Sequence, residues 1–184
     1  PIGIASGYFR GFWDLWVVMR IVDTLQAFPS LILALALAAA LGGGFYTAMV
    51  AVGVGFTPAF IRLARGQAMM LRNLDYVMAA RSVGATHLRI MWRYILPNAM
   101  APLVIQASFG MGSAVIAEAG LSYLGLGANP EDPSWGSMLH IAQGYLNTTP
   151  LLAVWPGLAI FAVVLGFNLL GDGIREVFDP KLNR

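Results

Sequence analysis

The sequence predicts an all-α protein: a polytopic transmembrane helical bundle of about four full spans, preceded by a partial or interfacial segment. Three observations lead there. Charge is scarce, since the 184 residues are 58% hydrophobic and 11% charged, less than half of the roughly 25% that covers a soluble domain. Long runs carry no charge at all, between Asp23 and Arg62, Arg93 and Glu118, and Asp132 and Asp172. The basic residues, finally, fall in groups separated by stretches that have none. Lipid is the solvent such a chain suits.

Taken in order, the chain opens abruptly on PIGIASGYFRG without a Met, which leads us to expect a piece of a longer protein. No signal-peptide pattern is present at this start, because no basic region precedes an apolar run. In GYFRGFWDLWVVMRIVD, Trp13, Trp16, Val17 and Arg20 share roughly one helical face. This stretch is either an interfacial helix or the cytoplasmic end of a longer span. Spans are expected near 25–41 and 45–61, divided by LGGGF at 41–45. Each has 17 residues, about 26 Å of helix. A third span starts at Pro97 and ends near Glu118; a fourth covers about 150–171, with Asp172 at its inner boundary. Pro29, Pro58, Pro102 and Pro156 lie at or within these spans. The small-residue pairs Ala36/Ala40 and Ala51/Gly55 are spaced for close helix contact.

The charges set the expected topology. Arg62, Arg65, Arg72, Arg81, Arg89 and Arg93 crowd the loop 62–97, where Asp75 is the only acid. Arg10 and Arg20 precede the first span, and Arg175, Lys181 and Arg184 follow the last. Segments 42–44 and 127–149 contain no Lys or Arg, and the longer one holds Glu131 and Asp132. The positive-inside rule then places the N-terminal segment, the 62–97 loop and the tail in the cytoplasm, in a multi-pass protein of the cytoplasmic (inner) membrane. The same assignment of basic residues to cytoplasmic loops argues against nucleic acid as a partner. Trp135, Tyr145 and Trp155 flank the outer side, where amphipathic rings favour the interface. In the outer loop, Trp135, Met138, Leu139, Ala142, Tyr145 and Leu146 recur at helical spacing between Pro133 and Pro150, which predicts a short amphipathic helix.

Little in the chain suits chemistry. Cysteine is absent, and His87 and His140 are expected on opposite sides of the membrane, so neither a thiolate nor a two-histidine metal site is expected. No P-loop and no HExxH occurs. No catalytic, cofactor or metal residues are assigned, and the chain reads as one membrane domain over 1–184 rather than an enzyme. Glu118, near the outer boundary, has either a structural role or a role toward a proton or substrate. Gln106 and Asn168 either bond across helices or line a pathway.

The loop at 62–97 contains the stretch AARSVGATHLRIMWRYILPN at 79–98. Asn73 or Asp75 is expected to cap a helix ending near Val83, with Gly84 at its left-handed C′ position. Thr86 is expected to cap a second helix over 87–95, before Pro97 opens the next span. Leu88, Met91, Trp92 and Ile95 would share one face, and Arg89 and Arg93 another. Such an element can rest on headgroups, bind anionic lipid, or dock in a groove of a soluble partner. A DNA-reading helix-turn-helix is disfavoured by its tethering to spans at both ends.

This stretch resembles the EAA loop of ABC importer membrane subunits: E-A-A, three residues, G, nine residues, I-x-L-P. Ala79, Ala80, Gly84, Leu96 and Pro97 occupy motif positions, while Met78 replaces the usual Glu and Tyr94 the usual Ile. The remainder resembles the dipeptide/oligopeptide/nickel permease group, in particular its C-type subunit. This rests on MRIVDTLQAFPSLILALAL at 19–37, AEAGLSYLGLG at 117–127, PSWGSML at 133–139 and FNLLGDGIREVFDPKL at 167–182. The resemblance implies an ABC-importer-type permease bundle whose N-terminal span and larger outer loop precede this piece. It implies that Ala79, Ala80, Arg81, Gly84, Ala85, His87, Leu88, Leu96 and Pro97 form a coupling element that docks on a cytoplasmic ATPase. The implied partners are a second homologous permease subunit, two ATP-binding subunits and an external substrate-binding protein. The implied cargo is a di- or oligopeptide or a related solute such as nickel. Met78 cannot pair with or cap basic neighbours as Glu would, so either the coupling is weaker or Arg81 finds another partner. An anchoring subunit and an ion-coupled carrier using Glu118 are the competing readings.

Overall fold

A computed structural model describes residues 1–127 and 133–178, and every regular element among them is a helix. Helix α1 (Ile2–Phe9) is followed by a π-helical segment, Trp13–Val18, that runs into α2 (Met19–Gln26). Then come α3 (Ser30–Ala40), α4 (Phe45–Leu71), α5 (Asp75–Ser82) and α6 (His87–Ile90). A π turn, Met91–Ile95, joins α6 to α7 (Leu96–Tyr123), and α8 (Trp135–Gln143) and α9 (Leu151–Phe178) complete the chain. Glu131, Asp132, Lys181 and Arg184 lie outside the described residues.

Three helices are long and apolar enough to cross a membrane: Phe45–Leu71, His87–Tyr123 and Leu151–Phe178. The expected first span over 25–41 is not one helix. The chain is interrupted at Pro29, which is extended (φ −54°, ψ 133°), and α3 has only 11 residues, about 16 Å of rise against a core of about 30 Å. Proline removes an N–H and pushes the residue before it out of the α region. Trp13–Gln26 and Ser30–Ala40 make a fourth crossing only as one broken span. The expected break at LGGGF is present, with Gly42, Gly43 and Gly44 at φ 90°, 72° and 104°, where a side chain would be strained. Pro58, Pro102 and Pro156 sit inside the long helices.

The chain divides into two compact units. The first comprises Pro1–Ala27, Thr57–Gln106 and the chain from Gly173. Its core is Ile4, Tyr8, Ala64, Ala68, Val77, Ile90 and Ile95. Within it α1 lies close against α4. A Cβ added at Gly3 would stand 2.4 Å from the Ile61 carbonyl oxygen, and one at Gly7 2.3 Å from that of Arg65. Two glycines four apart thus let backbone meet backbone.

The second unit, Phe28–Phe56 and Ala107–Asp172, packs Ala34, Ala38, Ala48, Ala51, Val52 and Leu121. The expected contact pair Ala36/Ala40 is exposed, and Ala34 and Ala38 are buried instead. The run ALALAAA places alanines four apart on more than one face, so spacing alone does not choose between them. Ala51 is buried as expected, and a Cβ at Gly55 would lie 3.2 Å from the Ser30 carbonyl oxygen. Large apolar side chains such as Phe161, Leu169 and Trp155 are exposed, as lipid-facing positions require.

Candidate functional site

The 62–97 region begins with α4 continuing to Leu71, ten residues past the expected end of its span. The next helix, α5, has Leu74 as its N-cap, with no side-chain cap bond. Neither Asn73 nor Asp75 plays the expected capping part. The Asn73 amide instead donates to the Met69 carbonyl at 3.5 Å, and Asp75 stands in the first helical turn, where a carboxylate complements the helix dipole. The C-terminus of α5 follows expectation. Gly84 has φ 80°; its N–H donates to the Arg81 carbonyl and that of Ala85 to the Ala80 carbonyl, both at 3.0 Å. This paired bonding is a Schellman motif, and it requires the left-handed glycine. Thr86 then caps α6, its Oγ1 accepting from the Arg89 N–H at 3.4 Å.

Beyond Thr86 the structure departs from expectation. The second helix does not stop before Pro97; His87–Tyr123 is one helix of 37 residues. The π turn Met91–Ile95 lies just before Pro97, which cannot donate to the Arg93 carbonyl and crowds it. The wider turn shifts the helix face. Ile90 and Ile95, five apart, are wholly buried, while Leu88 (66% exposed) and Trp92 (57%) face out. The expected stripe of Leu88, Met91, Trp92 and Ile95 is therefore split. Ala80 is buried, and Ala85 and Leu96 pack partly against the first unit's core. Met78, Ala79, Arg81, Gly84, His87 and Pro97 are exposed along with Leu88. Val83, beside the Gly84 turn, is the most open at 85%.

Arg81 has a partner that the sequence reading did not identify. Tyr8, 5% exposed, places its hydroxyl 2.8 Å from His87 Nδ1 and 3.4 Å from Arg81 Nη2, which donates to it. The Arg81 guanidinium also lies 5.8 Å from the Tyr8 ring centre, within cation–π range. Arg72 donates to the Tyr8 backbone carbonyl at 2.9 Å. One buried tyrosine on α1 thus touches both ends of the Gly84 turn. The legible signal for its helix was Gly3-x-x-x-Gly7. Tyr94, at the motif's Ile position, stacks on Tyr76 with ring centres 6.5 Å apart.

A second polar group also escaped sequence reasoning. Asp14, 4% exposed, is held by Arg65 Nε at 2.8 Å and Nη2 at 2.7 Å, and Ser6 donates its hydroxyl to the same carboxylate. The partners are 51 residues apart, so no spacing rule finds them. An acid within an apolar stretch was the available hint. Arg62 and Asp23 pair at 2.7 Å on the exposed surface.

In the second unit, Glu118 is half-buried and accepts from Ser122 Oγ at 2.6 Å, one turn along α7. Asn168 lies beside Gly112, where an added Cβ would be 3.7 Å from its Oδ1. No hydrogen bond joins Glu118 to Asn168 among the described residues. Gln106, half-buried, belongs to the first unit. The expected helix in the outer loop exists as α8, started by a Ser134–Ser137 capping box. Its buried face differs from expectation. Gly136 and Ala142 are buried while Trp135, Met138, Tyr145 and Leu146 are exposed. A Cβ at Gly136 would meet the Ala119 carbonyl oxygen at 2.3 Å, so α8 docks through its smallest residue. His140 is exposed, its ring edge-on to Tyr123 at 6.0 Å.

Comparison with known proteins agrees with this architecture. The family model described as "Binding-protein-dependent transport system inner membrane component" matches residues 1–184. The glutathione transport system permease protein GsiD of Pectobacterium atrosepticum is 45% identical over 181 residues, covering 98% of this chain and 60% of the relative. The GsiD protein of Escherichia coli O6:K15:H31 is 45% identical over 175 residues, covering 95% of this chain and 57% of the relative. The chain thus spans about three fifths of the length of these relatives. A solved structure of the MetNI methionine ABC transporter in inward-facing conformations matches with a TM-score of 0.72 at 20% identity. It covers 97% of this chain and 85% of the matched chain, a likeness of fold. With the family match running from the first residue to the last, the chain belongs to the inner-membrane components of binding-protein-dependent transport systems, the permeases of ABC importers.

Proposed function

We propose that this chain is the membrane-spanning part of a permease subunit that moves a peptide or peptide-like solute across the cytoplasmic membrane. ATP hydrolysed on partner subunits drives the movement, and α5, the Gly84 turn and α6 form the surface those partners grip. The assembly comprises a second homologous permease, two cytoplasmic ATP-binding subunits and an external binding protein that presents cargo on the side of α8. The relatives named for glutathione transport support a short peptide as cargo over nickel.

The observation that carries the coupling assignment is the turn itself. A rigid Schellman turn holds Met78, Val83 and Leu88 open to solvent (48%, 85% and 66% exposed), beside the basic Arg81 and Arg89. Apolar side chains on an otherwise basic, helix-terminated element suit a helix-in-groove contact with a soluble partner. The network around Tyr8 braces this element from within the first unit. Within this reading the permease supplies no chemistry, only an arrangement with two states that its partners bias.

Gly84→Val tests it. No atom lies within 4 Å of a Cβ at that position, so the variant leaves the packed core alone. Its cost is backbone strain at φ 80°, of order 1–3 kcal/mol, felt where the partner docks. ATP-driven uptake into vesicles containing the complete transporter is expected to fall about tenfold, with the permease still inserted. Normal uptake by Gly84→Val would remove the coupling assignment. Uptake driven by a proton gradient without ATP would favour the ion-coupled reading instead.

A further inference from the structure

The first unit contains a cationic cleft that the coupling role leaves unused. It measures about 390 Å³ and is lined by Phe9, Arg10, Asp14, Leu15, Arg65 and Arg72, with Gly11 between. Three guanidinium groups face one carboxylate, leaving a surplus of two positive charges. The carboxylate is already committed, because Asp14 takes both Arg65 bonds and the Ser6 hydroxyl. Arg72 gives Nη1 to the Tyr8 carbonyl and retains its other N–H groups, since a guanidinium carries five. The Arg10 side chain makes no hydrogen bond or ion pair among the described residues. Its backbone is nevertheless held at φ 39°, ψ 95°, a conformation that a residue with a Cβ rarely adopts. An exposed guanidinium with no hydrogen-bond partner, its charge felt through space by the Asp14 carboxylate, stands on a strained backbone beside a second with spare donors, and this suits an anion with several acceptor oxygens.

The surroundings identify the anion's carrier. Phe9, Phe12 and Leu15 on the same segment are 58%, 70% and 60% exposed, and Trp13 and Trp16 are 74% and 57% exposed. Indole rings and apolar side chains next to a cationic cleft match the headgroup level of a bilayer, with acyl chains to one side and phosphate to the other. We propose that this cleft binds the phosphate group of an anionic phospholipid. The proposal rests on the chain being a membrane permease, with this end toward the cytoplasmic leaflet. It does not rest on coupling through 79–97.

The test uses the complete transporter, exposed in detergent to equal amounts of phosphatidylglycerol and phosphatidylcholine, with retained lipid counted by native mass spectrometry. Wild type should retain phosphatidylglycerol preferentially. Arg10→Asn, whose side chain tolerates the left-handed backbone, should lower that retention about fivefold, the effect of one basic residue at a membrane surface. Arg10→Lys should restore most of it. Labelled inorganic phosphate provides the second arm. If phosphate binds in an Arg10-dependent manner and no lipid preference is seen, a soluble phosphate ligand replaces the lipid. Equal retention of both lipids without phosphate binding, or equal retention by wild type and Arg10→Asn, overturns the site. Co-purification of the ATP-binding subunits, followed alongside, reports on the coupling assignment separately.

Discussion

In the first unit the buried groups include Asp14, Ser6 and the phenol of Tyr8 beside Ile4, Val77, Ile90 and Ile95. In the second, the interior is alanine, valine and one large leucine, Leu121, with the hydroxyls of Ser108 and Ser122. Both ion pairs found among the described residues lie in the first unit. The difference follows from what each must hold in place. Small side chains let helices approach without naming a partner, so the second unit packs largely by shape, with Tyr123 donating to Gln143 as a polar tie between α7 and α8. A buried carboxylate tolerates only the geometry that neutralises it. The unit carrying the Gly84 turn is thereby tied to specific positions, the Trp13–Val18 segment to α4 and the turn to Tyr8.

Removing the charge that ties the Trp13–Val18 segment to α4 should break this contrast most. Asp14→Ala leaves Arg65 unpaired with its side chain 18% exposed, and it is expected to cost about 3–5 kcal/mol in thermal unfolding in detergent. Replacing both partners with apolar residues, Asp14→Leu with Arg65→Met, should recover most of that. If Asp14→Ala unfolds within about 1 kcal/mol of wild type, the pair is solvated and the comparison fails.

A smaller effect is expected where contact depends on shape. Gly136→Ala forces a methyl toward the Ala119 carbonyl and the Ser122 side chain, 2.3 Å and 2.7 Å from the added atom. Overpacking of this kind costs about 1–3 kcal/mol, and hydrogen exchange should rise in 135–143 while the first unit is unchanged. Protection unaltered in α8 would mean that Gly136 does not hold it.

The smallest effect sharpens the comparison. Tyr8→Phe keeps the ring and removes the hydroxyl that meets His87 and Arg81, a loss of about 1 kcal/mol. Its informative readout is solute moved per ATP hydrolysed, which should fall although the bundle stays assembled. A Tyr8→Phe variant with unchanged transport stoichiometry would restrict Tyr8 to packing.

Much of the architecture was legible in the sequence because lipid exclusion of charge is a strong, local signal. The uncharged runs found the three long helices, and LGGGF, Gly84 and Thr86 marked real stops and starts. What was misread depended on contacts between distant residues. Ala34 and Ala38 could not be separated from Ala36 and Ala40 by spacing, since only packing chooses among them. Pro29 was counted within a span that it interrupts. Asp14 and Arg65, and Tyr8 with Arg81, are pairs that no periodicity encodes. The face of α6 was wrong because a 3.6-residue period was carried through a segment wound more loosely.

That loosely wound segment, Met91–Ile95, has a mechanical consequence. No loop separates the His87 end of this helix from its long apolar run, so a twist applied at Leu88 is transmitted along a single shaft. The phase of that shaft is set by one surplus residue. Winding the segment at the ordinary pitch with that residue retained would rotate His87–Ile90 by about 100° against α7. Ile90 would swing outward and Leu88 and Trp92 inward, with composition untouched, much as a gear advanced by one tooth runs smoothly and drives the wrong stroke.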